Sequence, residues 1–174
     1  MTMRTAVALS TTSVLAAAAL GAALIAYGGL ARAETPAAIA APGAAAVLTL
    51  HAEGAQIYEC KTGADGRLAW NFREPIATLI LDGRTVGRHY AGPNWEHTDG
   101  SGVTGKVAAS APGTTASDIA WLKLDVVARR GAGVFDGVTV VQRINTVGGT
   151  LSGTCDRAGA LRSVPYAADY VFLR

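Results

Sequence analysis

The chain has 174 residues, of which 15 are Lys or Arg, 13 are Asp or Glu and 3 are His. Arg4 and Arg32 lie in an N-terminal leader that holds no acid, so the rest of the chain balances 13 basic against 13 acidic residues. A neutral chain without basic runs argues against nucleic acid or an anionic membrane surface as a partner.

Residues 1–33 have the form of a signal peptide. Arg4 is the basic start, Thr5 to Ala31 carries no charge, and Ala31-Arg32-Ala33 fits the small-x-small rule, with cleavage after Ala33. This places the protein outside the cytosol, secreted or periplasmic. The uncharged run is also long enough to cross a bilayer, so an uncleaved N-terminal anchor is the alternative. Residues 34–46, ETPAAIAAPGAAA, are expected to be an Ala/Pro-rich flexible tether. A single domain, residues 47–174, follows.

That domain reads as all-β. AVLTLHA and AQIYEC open it, and LAWNF follows the polar turn TGADGR. ATLIL and TVGRHY flank Asp82-Gly83-Arg84, a hairpin signal because Asp-Gly tolerates positive φ. GVTGKVAAS, IAWLKLDVVAR, VTVVQRINT and RSVPYAADYVFLR complete the strands, separated by loops rich in Gly, Pro and Asp. Leu122, Leu124 and Val126 share one face of their strand, while Trp121, Lys123 and Asp125 share the wetter one. Tyr166, Ala168, Tyr170 and Phe172 likewise share a face. Many short strands with glycine-rich turns predict an antiparallel β-sandwich or barrel. The two cysteines, Cys60 and Cys155, are an even count in an exported chain and are expected to form one disulfide.

The densest chemistry lies in HYAGPNWEHTDGSG, residues 89–102. Gly100 to Gly105 matches G-x-G-x-x-G, but a dinucleotide site needs a strand before it and a helix after it, and a strand-like run ending in Pro112 follows instead. No G-x-S-x-G elbow is present for a serine nucleophile. His89, His97 and Asp99 are of metal-ligating types without a ligand spacing, and no metal is expected. Glu96 and Asp99 could pair as glycosidase carboxylates only across a cleft, for which a small β domain has little room. Trp70, Trp95 and Trp121 could stack on sugar rings; Trp121, on the polar face of its strand, is the better candidate for exposure. The candidate ligand-binding residues are therefore His89, Tyr90, Trp95, Glu96, Asp99, Ser101 and Trp121.

Several motifs occur together in order: Gln56-Ile57-Tyr58-x-Cys60; Gly87-x-His89-Tyr90-x-Gly92-Pro93-x-Trp95-Glu96; Asp99-Gly100-Ser101; Gln142-Arg143-x-Asn145-Thr146; and Val164-Pro165-Tyr166-x-Ala168-Asp169-Tyr170-x-Phe172. The set resembles the secreted family catalogued as domain of unknown function 3455. Asn94, where a Thr is expected, is a small departure, as is the missing Pro in the loop before Cys155. The resemblance implies export and a compact β fold, and brings no established activity or catalytic residue. A malate dehydrogenase label carried by some relatives finds no support in a chain without a Rossmann unit. The resulting expectation is a non-catalytic binding or structural module of the cell envelope or extracellular space. Its expected partner is a glycan, another envelope component or a small ligand, and no cofactor is expected. The alternative is a small secreted hydrolase or metalloenzyme using His89, Glu96, His97 and Asp99.

Overall fold

The alternation of apolar and polar residues is realised as eight antiparallel strands: β1 (Ala46–Thr62), β2 (Leu68–Leu81), β3 (Arg84–Tyr90), β4 (Asn94–His97), β5 (Gly102–Ala111), β6 (Trp121–Arg130), β7 (Val140–Gly148) and β8 (Leu161–Leu173). Each pairs with its neighbour in sequence, and β8 returns to pair with β1, closing an up-and-down barrel. Of the two architectures expected, the barrel is the one formed. The structure, a computed structural model, describes residues 35–174; the leader read over residues 1–33 lies outside the described residues.

Closure removes both sheet edges, which an open antiparallel sheet would leave as unpaired N–H and C=O groups. The Asp82-Gly83 turn joins β2 to β3 as expected, with φ of 50° and 74°, the two positive values a tight hairpin turn needs. The runs read as separate at 46–52 and 55–60 form one strand, and so do those at 68–72 and 77–81. Pro75 does not end β2, because it lies close to a bulge at which Arg73 is left unpaired opposite Ile57 and Tyr58.

Inward parity is set by the closed sheet. Leu50, Ala52, Ala77, Leu79, Leu124, Val141, Ala168, Tyr170 and Phe172 all point into one buried cluster. Gly105 makes room there for the Trp95 indole: a Cβ on it would sit 3.0 Å from Trp95 Cζ3. The connection between β6 and β7 folds over one end, and its Phe135 packs on Phe172 with ring centroids 4.5 Å apart. Phe135 and Val138 are 1% and 0% exposed, so this end of the barrel is plugged.

A second cluster lies on the outside of the sheet, where Ala111, Trp121, Ile144, Val171 and Leu173 surround Ile39. Ile39 belongs to a short 3-10 turn, Ala37–Ile39, and is fully buried. Gln142 Nε2 donates to its carbonyl at 2.7 Å, and Ala45 exchanges backbone hydrogen bonds with Arg174. Part of the expected tether is therefore docked, because Ile39 is the one branched apolar side chain in an otherwise small-residue stretch and finds an apolar patch. This also corrects the expectation for Trp121. It does point outward, but Ile39 covers it and leaves it 5% exposed.

At the end opposite the plug, Cys60 and Cys155 form the expected disulfide and tie β1 to the connection between β7 and β8. A bridge of this kind fits an oxidising compartment. Among the described residues, no helix is long and apolar enough to cross a membrane.

Candidate functional site

An eight-stranded barrel has an interior that side chains can just fill, or that can hold one small ligand. Here the plugged end is filled and the other is not. A cavity of about 440 Å³ occupies the unfilled half, within the usual range for small-molecule sites. The expectation that so small a domain has little room for a cleft is thereby corrected, since the space lies inside the sheet. Tyr170, Trp95, Pro75, Pro93, Leu122 and Leu124 supply apolar wall. Phe72 and Val107, 54% and 52% exposed, stand at its mouth.

His89 is at the centre of this wall. It sits on β3 opposite Trp95 of β4, and the two rings stack with centroids 4.6 Å apart and planes 11° from parallel. Tyr170 packs against both rings, its centroid 4.8 Å from His89 and 5.3 Å from Trp95. The turn between β3 and β4 explains the placement. Asn94 donates from its amide to Ala91 O and accepts from Thr104 Oγ1, and its own carbonyl lies 2.8 Å from His89 Nδ1. A carbonyl can only accept, so the proton is on Nδ1 and Nε2 carries a lone pair. Burial is the main reason the His89 pKa falls to about 3; the Asn94 carbonyl opposes the shift and the Arg143 charge adds to it. The ring is neutral at physiological pH.

Arg143, on β7, lines the same cavity. Its Nε and Nη2 both donate to Ala120 O, at 3.0 and 2.8 Å. Its charge is close enough to Tyr166 and Tyr170 to work against the upward pKa shift that burial imposes on each. No carboxylate pairs with Arg143 among the described residues. Gln56 and Trp95 are 2% and 1% exposed, and Gln56 Nε2 and Trp95 Nε1 have no hydrogen-bond partner among the described residues. Native interiors rarely leave such donors unmatched. Tyr58 holds the rim by donating to Gly149 O at 2.8 Å and accepting from Leu151 N at 3.2 Å.

Of the residues singled out in the sequence, His89 and Trp95 reach the cavity and the rest do not. Tyr90 and Glu96 are outside the barrel, where Glu96 Oε2 accepts from Arg88 at 2.8 Å, from Tyr90 at 3.3 Å, and pairs with Arg130 at 3.0 Å. The hydrogen bond from Arg88 is the main reason the Glu96 pKa is lowered. Asp99 and Ser101 lie in the turn at the plugged end. Asp99 accepts from Ser101 Oγ at 2.7 Å, Ser101 N at 2.8 Å and Val134 N at 2.8 Å, and these bonds, the Ser101 hydroxyl first, hold its carboxyl far below the usual range. They clamp the loop that carries Phe135. His97 accepts from Asp99 N at 3.2 Å and packs edge-on against Phe135. Ser101, His97 and Asp99 are thus neighbours, but the serine bonds the aspartate rather than the histidine and is fully buried. The four residues of the hydrolase or metalloenzyme alternative are spread over the cavity, the outer face and the plugged end. No group of three or more His, Cys, Asp or Glu is placed to hold a metal among the described residues.

Gln56, Arg143 and Tyr170 were missed as site residues. Their signal is parity. Gln56 shares the inward face of β1 with Ala52, and Arg143 shares that of β7 with Val141, so each is a polar residue in an apolar register.

Fold and site together define a closed, eight-stranded antiparallel barrel with one end packed and a polar-studded cavity at the other. The chain belongs to the family described as protein of unknown function (DUF3455), whose pattern matches residues 40–83 and 80–174. No curated protein and no solved structure matches it.

Proposed function

We propose that the protein is a non-catalytic binding module that holds one small, mostly apolar molecule inside the barrel. The observation that carries this reading is the half-filled interior: a cavity of about 440 Å³ lined mainly by aromatic and aliphatic side chains, with two lining residues, Gln56 and Trp95, each carrying a buried donor left unpartnered among the described residues. Leaving such donors unmatched costs about 1–3 kcal/mol each, a cost that a ligand with acceptor atoms would remove. A sugar platform is less well supported, because Trp95 and Trp121 offer no exposed ring face and only Trp70, of the three tryptophans, is partly exposed. Fluorescence titration with N-phenyl-1-naphthylamine tests the reading. Saturable binding with one site per chain is expected, weakened when Leu122→Trp fills the cavity. Failure of this probe and of other apolar probes to saturate at one site would overturn it.

A further inference from the structure

The cavity has a charge as well as a shape. Among the described residues, two arginines and no acidic residue line it. Arg73 is at the mouth and is neutralised by Glu74, 3.1 Å away. Arg143 has no acidic partner among the described residues, and the Ala120 carbonyl takes one hydrogen from Nε and one from Nη2. A guanidinium has five donors in a planar fork, so its outer edge, formed by Nη1 and the second Nη2 hydrogen, is not used by Ala120; the Tyr170 hydroxyl that the guanidinium also meets is neutral and leaves its charge unmatched. That edge matches the two oxygens of a carboxylate.

We infer that the ligand is a small organic monocarboxylate with an apolar, ring-sized body, its carboxylate held by Arg143 and Gln56 and its body against Trp95, Tyr170 and Leu124. This rests on the binding reading above and narrows it to one class of ligand. Gln56 supplies the second donor: its Nε2 is buried beside the Tyr166 hydroxyl without a well-formed hydrogen bond among the described residues, and belongs to a side chain that lines the same cavity. One unneutralised cation calls for one negative charge, and the neutral His89 ring adds no second one. Taking a charge from water into an apolar chamber is unfavourable unless an opposite charge meets it, so the same arginine that selects an acid makes the site poor for a neutral isostere.

The test uses the oxidised protein and three matched probes: 2-naphthoate, its carboxamide and its methyl ester. Calorimetric titration should show the acid binding at least about tenfold tighter than either neutral form. Arg143→Met should bring the acid-to-carboxamide affinity ratio to about one, and Gln56→Leu should reduce it, with the barrel fold of both checked by circular dichroism. Arg143→Lys should restore part of it, since the charge returns without the fork. Equal binding of acid and carboxamide by the unmodified protein would overturn this inference and leave the small-molecule reading standing. If no probe binds, both fail together. Because the acid-to-amide ratio is read on the unmodified protein, the proposal does not depend on a variant that folds.

Discussion

Breaking the Cys60–Cys155 bridge should lower the unfolding free energy of the barrel by about 4.7 kcal/mol. The bridge joins positions separated by 95 residues, so it closes most of the barrel into one loop. In the chain-entropy model a loop of this length removes about 16 cal/mol/K from the unfolded ensemble, which at 298 K is about 4.7 kcal/mol. Urea unfolding followed by tryptophan fluorescence is the assay, comparing oxidised protein, reduced protein and the Cys60→Ala/Cys155→Ala double variant. With a denaturant slope of about 2 kcal/mol per molar, the midpoint should fall by about 2.3 M on reduction. The double variant should fall slightly further, because Cys60 is fully buried and the substitution removes packed atoms. The barrel should persist, since the β1–β8 pairing runs along most of β1 without help from the bridge. A midpoint shift below about 0.5 M would refute the reasoning, for it would mean that the unfolded chain gains little freedom when the bridge opens.

Ile39→Ala should cost about 2–5 kcal/mol, the range for emptying a buried aliphatic site, and should make residues 36–45 protease-sensitive; resistance equal to the parent would show that this segment does not depend on Ile39. His89 has a folded pKa of about 3, lowered chiefly by burial, against about 6.5 when unfolded. The unfolded chain therefore binds the extra proton, so stability falls as pH drops from about 6.5 toward 3. His89→Gln should flatten urea-derived stability over that window, and an unchanged slope would count against it. For Asp99, whose carboxyl is held low mainly by the Ser101 hydroxyl, the sign is the ordinary one for a carboxylate. Its contribution is complete above about pH 4 and is lost as pH falls below that. Asp99→Ala should remove about 2–3 kcal/mol and speed amide exchange at Val134 and Phe135, with unchanged exchange there contradicting a clamp role.

Much of the fold was legible because its signals are local. The Asp82-Gly83 turn, the alternation of Leu122, Leu124 and Val126, and the shared face of Tyr166, Ala168, Tyr170 and Phe172 each depend on a few adjacent residues, and all are realised. The short strand β4 was hidden in a segment that reads as turn chemistry, because only four residues pair and glycines flank them. In the candidate site, His89 and Trp95 stood out in the sequence through their density of functional groups. Asp99 and Ser101 stood out for the same reason, yet they bond one another and the Val134 amide at the plugged end. Local crowding of polar residues does not distinguish a clamp from a pocket.

The sequence by itself determined the all-β class, the hairpin at Asp82-Gly83, the cysteine pair and the family, since periodicity, turn chemistry and ordered motifs are properties of short stretches. Only the tertiary structure decided that the sheet closes through β1 and β8, elements far apart in the chain, and closure is what separates inside from outside. Once that distinction exists, Gln56 and Arg143 become cavity residues, Glu96 becomes a surface ion pair, and Trp121 faces outward only to be covered by Ile39. No local pattern carries this, because each assignment depends on which distant strand or segment lies against the residue.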